Sequence, residues 1–180
     1  MKRKTSYSKK DLLEGAKGKL FGFANAKLPL PPMLMVDRIK KISENGGKFN
    51  RGLIIAEMDV KPSQWFFNCH FKDDPVMPGC LGLDALWQLT GFFLTWIGGE
   101  GRGRALGCGE VKFKGQIRPH HDKVIYRLDI RRVIKKPIIM ALADATMEVT
   151  GKAIYFAKNL KVGLFDNLTY PPPEGQEEPF

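Results

Sequence analysis

The sequence predicts an α+β protein in which one long helix lies against a curled, mostly antiparallel sheet of about six strands. Three observations carry this. The stretch CLGLDALWQLTGFFLTWI, Cys80 to Ile97, has no proline, is apolar on nearly every face and ends at Gly98-Gly99. The chain after it alternates apolar and polar residues between turn signals, the pattern of strands. The connections are short, which favours antiparallel pairing, and a sheet that curls around a single apolar helix is the economical way to bury it.

At 180 residues, with 43% hydrophobic and 27% charged side chains, the chain has the make-up of one ordinary globular domain. We take that domain as 1–170, with 171–180 an extended or disordered tail in the proline-rich YPPPEGQEEPF. Ser8 and Asp11 form a capping box for a short helix through Leu12 and Leu13 that stops near Gly15 or Gly18. A strand is expected from about Met35 to Ile42, and Asn45-Gly46-Gly47 turns the chain into a second, Gly52 to Val60, giving a hairpin. The long helix, about 27 Å from end to end, carries Asp84, Gln88 and interior glycines, which favour burial in protein over insertion in a membrane. Gly98 to Gly103 reads as a flexible connector. ALGCGEVKFKGQI, VIYRLDIRRVI, PIIMALADATMEV and AIYFAKNLKVGLF read as strands, with turns at His120-His121-Asp122 and Thr150-Gly151-Lys152.

Cys69, Cys80 and Cys108 are odd in number and irregularly spaced, which argues against a disulfide framework or a zinc site and for a reducing compartment. The basic N-terminus, MKRKTSYSKKDLLEG, has no apolar stretch after its charges, so the expected location is the cytoplasm. A net charge of +10 implies an acidic partner. The one tight basic group is Arg131, Arg132, Lys135 and Lys136, readable either as a solvated turn between strands or as a docking patch.

The chemistry concentrates at CHFKDDPVMPGCLGLD. His70 follows an aromatic run and precedes a proline-glycine turn, so partial burial is expected, which suits a base. Asp84 lies one turn inside an apolar helix, where a carboxylate needs a partner, and Gln88 at i+4 is placed to supply one. The unpaired N–H groups around Gly79, Cys80 and Leu81 can receive a developing oxyanion. Base, acid and oxyanion site together suit removal of a proton beside a carbonyl with loss of a β-leaving group. No cofactor is implied, and adjacent Asp73 and Asp74 beside His70 make a poor metal set. His120 and His121 read as turn residues. Cys80 at a helix N-terminus keeps an acyl-transfer or thioesterase nucleophile open as a competing reading.

HFKDDPVMPGCLGLDALWQ, flanked by MLMVDRI, WFFNCHF, RALGCGEVKFKGQI and NLKVGLF, closely resembles the bacterial 3-hydroxydecanoyl-[acyl-carrier-protein] dehydratase/isomerase family of type II fatty acid synthesis, from about Tyr7 to Phe165. Only the tail and the His120-His121 turn look individual. The resemblance implies a hotdog fold and a homodimer in which each site takes His70 from one subunit and Asp84 from the other. It also implies that the Gly79 N–H binds the thioester carbonyl, with Val76, Cys80 and Gln88 in the substrate site. Acyl carrier protein, which is acidic, becomes the expected partner for the basic patch. Related dehydratases that do not isomerise typically carry Glu where this chain has Asp84, so the resemblance favours dehydration plus isomerisation. A dehydratase without isomerase activity, and a non-enzymatic acyl-sensing or nucleic-acid-binding module, are the remaining alternatives. No recognition helix or RNP-like aromatic set supports nucleic acid.

Overall fold

The computed structural model describes residues 3–165, and the expectation for 171–180 lies outside them. Helix α1 (Lys9–Ala16) begins as its sequence dictates: the Ser8 hydroxyl accepts from the Asp11 amide while the Asp11 carboxylate accepts from the Ser8 amide. Strand β1 (Arg38–Ser43) starts later than expected. The backbone at Met35 is taken by side chains instead, its N–H donating to Gln88 Oε1 and its C=O accepting from the Tyr126 hydroxyl. Strand β2 (Leu53–Asp59) pairs antiparallel with β1, as the hairpin signal implies. Gly47 in the turn has φ 71°, and a Cβ there would fall 2.7 Å from Asp129 Oδ1.

A 3₁₀ turn (Trp65–Asn68) leads through a loop to α2 (Gly79–Trp96). Then come β3 (Arg102–Gly107), β4 (Glu110–Phe113), β5 (Lys123–Ile134), β6 (Ile139–Val149) and β7 (Lys152–Phe165). The sheet order is β1-β2-β5-β6-β7-β3, with β4 also on β7, and every pairing is antiparallel. Seven strands replace the expected six because ALGCGEVKFKGQI divides after Gly107, φ 136°, which faces Lys161, and resumes at Glu110, which faces Lys158, with Asn159, φ 54°, between those two partners on β7. The divided segment shares one long partner: β4 pairs with Tyr155–Lys158 and β3 with Lys161–Phe165. The connector after α2 is shorter than expected, since Arg102 and Gly103 already belong to β3.

The basic group is divided between strand and turn. Arg131 and Arg132 lie in β5, as the strand reading of VIYRLDIRRVI implies, at a register shift against β6, and only Lys135 and Lys136 occupy the turn that was one reading of the whole group. Helix α2 packs into the sheet through Leu86, Leu89, Phe93 and Leu94, all at most 1% exposed, each contributing about 1.5–3 kcal/mol by burial. Gly82 permits that approach: a Cβ there would meet Tyr155 at 2.6 Å and Met147 at 2.9 Å. The helix is not buried all round, because Leu83, Asp84, Trp87, Gln88 and Gly91 form a half-exposed stripe. Among the described residues no helix is long and apolar enough to cross a membrane. A sheet curled around one central helix is the hotdog arrangement.

Candidate active site

The loop between the 3₁₀ turn and α2 holds His70 through its own backbone. Phe71 and Asp74 exchange N–H···O bonds at 2.9 and 3.1 Å, Val76 N donates to His70 O at 2.8 Å, and Met77 N donates to Ile117 O at 2.9 Å. His70 is half-buried, its ring lying 3.7 Å, centroid to centroid, from that of Phe71. Its Nδ1 lies 2.9 Å from Val76 O. A carbonyl only accepts, so Nδ1 carries the hydrogen, and in the neutral ring the lone pair is on Nε2. That is the tautomer a base requires. The chain supplies the orienting carbonyl six residues downstream, where the sequence reading had placed Val76 only in the substrate site.

Pro78 caps α2 in extended conformation with no side-chain bond to the first turn. The amides of Gly79 and Cys80 donate to no other described backbone group, whereas Leu81 N donates to Pro78 O at 3.1 Å. Among the described residues these two N–H groups have no partner, and they lie at the positive end of the helix that follows the His70 loop. Phe113 backs them: a Cβ on Gly79 would sit 3.1 Å from its ring, which packs edge-on against Tyr155 at 4.7 Å. Cys80 is exposed, not packed, as a small structural residue at a helix start would be. Burial, followed by the nearby Cys80, pushes the Tyr155 phenol up to about 12, so it stays neutral.

Asp84 has its own set of partners. Its Oδ2 accepts from Gln88 Nε2 at 2.6 Å, and the Gln88 amide group also donates to Met33 O at 2.8 Å and accepts from Met35 N at 3.2 Å. The expected i+4 pair thus exists and is clamped from the β1 side. Asp84 and Gln88 line a cavity of about 160 Å³ together with Trp87, Phe92 and Arg104. His70, Val76 and Gly79 do not line it. Within one chain the hydrogen bonds of His70 and Asp84 run to different neighbours, and the two share no lining of this cavity.

Several contributors escape a reading along the sequence. Trp87 and Gly91, at i+3 and i+7 from Asp84, were legible from helical spacing. Phe113 and Tyr155 come from strands distant in sequence and carried no signal. His121 Nδ1 accepts from Arg118 N at 2.9 Å, a turn role, and burial, then the charges of His120 and Arg118, lower its pKa. Arg131 pairs with Asp144 at 2.9 Å and lies over Phe49, while Arg132, Lys135 and Lys136 are exposed.

Solved structures share this fold at low identity. The dehydratase heterocomplex ApeI:P from Xenorhabdus doucetiae matches with TM-score 0.58 and 13% identity over 75% of this chain and 85% of that one. A hypothetical thioesterase with coenzyme A from Streptococcus pneumoniae TIGR4 matches with TM-score 0.51 and 12% identity over 73% and 87%. PH1136 from Pyrococcus horikoshii matches with TM-score 0.53 and 9% identity over 74% and 85%. Residues 28–158 match the FabA-like domain, well over half of the chain, and with the geometry above they place this protein in the FabA-like hotdog family.

Proposed function

We propose that the protein dehydrates (3R)-hydroxyacyl thioesters on acyl carrier protein, preferably the 3-hydroxydecanoyl form, and isomerises the product. His70 Nε2 takes a proton from C2, the C3–O bond breaks, and Asp84 gives a proton to the departing hydroxyl, which leaves as water. The Gly79 and Cys80 amides carry the enolate charge. The trans-2-enoyl thioester then loses a C4 proton to His70 and regains one at C2, giving the cis-3 form. The carrying observation is how one chain divides the two groups: an oriented imidazole in the loop that leads into the uncapped end of α2, and a clamped Asp84 on the half-exposed stripe of α2, in a cavity that His70 does not line.

Two copies joined along that stripe, with His70 of one beside Asp84 of the other, give each site both groups. Arg132, Lys135 and Lys136 serve as the contact for the acidic carrier protein. The dehydratase in the ApeI:P complex and the FabA-like match support dehydration; the thioesterase neighbour, together with exposed Cys80, supports acyl transfer through that thiol as a second reading. Incubation with (3R)-hydroxydecanoyl carrier protein, followed by assignment of the double-bond position, tests the first reading. Recovery of free hydroxy acid, lost in Cys80→Ala, would establish the second.

A further inference from the structure

The wall of the Asp84 cavity that faces α2 comes from the segment between α1 and β1, which has neither helix nor strand. Phe21 on this wall stands edge-on to Phe92 of α2, ring centroids 5.1 Å apart, and Tyr7 meets the same Phe92 ring at 5.0 Å. Asn25 fastens the segment in place, donating to Phe21 O at 2.7 Å and accepting from Gly101 N at 3.1 Å. The loop is therefore held at both the ring and the backbone. Leu28, 7% exposed, adds apolar surface to this wall, with Lys27 beside it. Along α2, Asp84 and Phe92 are two turns apart, about 12 Å on the axis. Between them Gly91 lines the cavity, and a Cβ added there would make only ordinary contact, 3.6 Å, with Val162.

We infer that Phe21 and Phe92, fixed by the α1–β1 segment, are the stop against which the end of the acyl chain rests, and that Gly91 keeps open the passage leading to it. The inference rests on reading the cavity as the acyl site and adds what sets its length. An extended hydrocarbon advances about 1.2 Å per bond, so about eight carbons bridge the gap between the carbon beside Asp84 and the aromatic stop once the ring and methyl thicknesses are allowed for. The stop thus selects medium chains. A longer tail collides with a clamped ring, and a shorter one leaves the apolar end unfilled at about a fourfold loss per missing methylene.

The test measures turnover of 3-hydroxyacyl N-acetylcysteamine thioesters from butanoyl to tetradecanoyl, and in parallel the affinity of the saturated acyl thioesters, which cannot be dehydrated. Phe21→Ala is expected to move both optima to longer chains, with the ratio of dodecanoyl to octanoyl raised about tenfold or more. Gly91→Leu is expected to move both optima shorter. Phe23→Ala, in the same segment but 71% exposed and outside the cavity, leaves the profiles where they are. Profiles scaled evenly across all lengths in the Phe21 and Gly91 variants overturn the stop. Shifted affinities without any dehydration by the unaltered protein leave the stop standing and remove the dehydratase reading. Failure to bind any acyl thioester removes both.

Discussion

At the head of α1 the free amides are capped by Ser8 and Asp11, with Lys4 adding a 2.7 Å ion pair to the same carboxylate. At the head of α2 the cap is Pro78, which has no side-chain bond to give, and among the described residues the Gly79 and Cys80 amides stay open after the His70 loop. The first arrangement satisfies local polar groups and holds a short helix that could not persist alone. The second forgoes that local stabilisation, and α2 persists because the sheet buries Leu86, Leu89, Phe93 and Leu94. A helix anchored by its core can leave its end free for chemistry; one anchored by its cap cannot.

The largest expected effect lies at the α2 head. His70→Asn should cut dehydration and isomerisation by at least about a hundredfold while the far-ultraviolet spectrum is unchanged, because one imidazole is assigned the carbon-bound protons of both steps. Residual turnover of more than a few per cent in either assay would break the single-base assignment.

Next in size is a rescue that separates the two halves of the site. Co-refolding His70→Asn with Asp84→Asn chains should return about a quarter of normal activity, since half of randomly assorted dimers are mixed and each mixed dimer has one intact site of two. Mixed dimers that form yet stay inactive would show that base and acid act within one chain.

Reversal of Arg132, Lys135 and Lys136 to Glu should raise KM for the carrier-protein substrate about tenfold more than for a small thioester. Adding Arg131→Glu should contribute little further to KM but lower the melting temperature, because that guanidinium is already bound to Asp144. Equal KM effects on both substrates would remove the patch from docking.

Smaller still are changes that probe what anchors each helix. Gly82→Ala should destabilise by about 1–3 kcal/mol through collision with Tyr155 and Met147, whereas Gly91→Ala should stabilise by up to about 1 kcal/mol, having room beside Val162. Urea unfolding that gives both the same sign would refute the packing account. At the other head, Ser8→Ala should cost about 1 kcal/mol and leave turnover intact. Hydrogen bonds from Lys4 first, then from the Ser8 hydroxyl and amide, hold the Asp11 carboxyl down to about 2. A depressed folded value means that this contribution is complete above the unfolded value near 4 and is lost as pH falls towards 2. Asp11→Asn should therefore flatten the melting-temperature profile in that window alone, and an unaltered acid limb would show the cap to be unimportant.

The order of the elements was legible in the sequence because their signals are local. The Ser8-Asp11 capping box, the Asn45-Gly46-Gly47 turn, the apolar run of α2 and the alternation in β5, β6 and β7 each depend on residues a few positions apart. Asp84 with Gln88 was legible for the same reason, one helical turn being a fixed spacing. The division of β3 from β4 was not, since it shows only in how the two pieces pair with separate stretches of β7, and neither was the register shift between Ile130 and Arg132, which exists only against β6. The backing of Gly79 by Phe113 and Tyr155, and the wall that Phe21 builds over Phe92, join segments far apart in the chain. By itself the sequence determined which groups could do chemistry, because residue type and near-neighbour spacing are covalent facts. Which of those groups meet, and what closes the cavity around them, only the tertiary structure decided, because such contacts exist only after strands from both ends of the chain have paired and buried the helix between them.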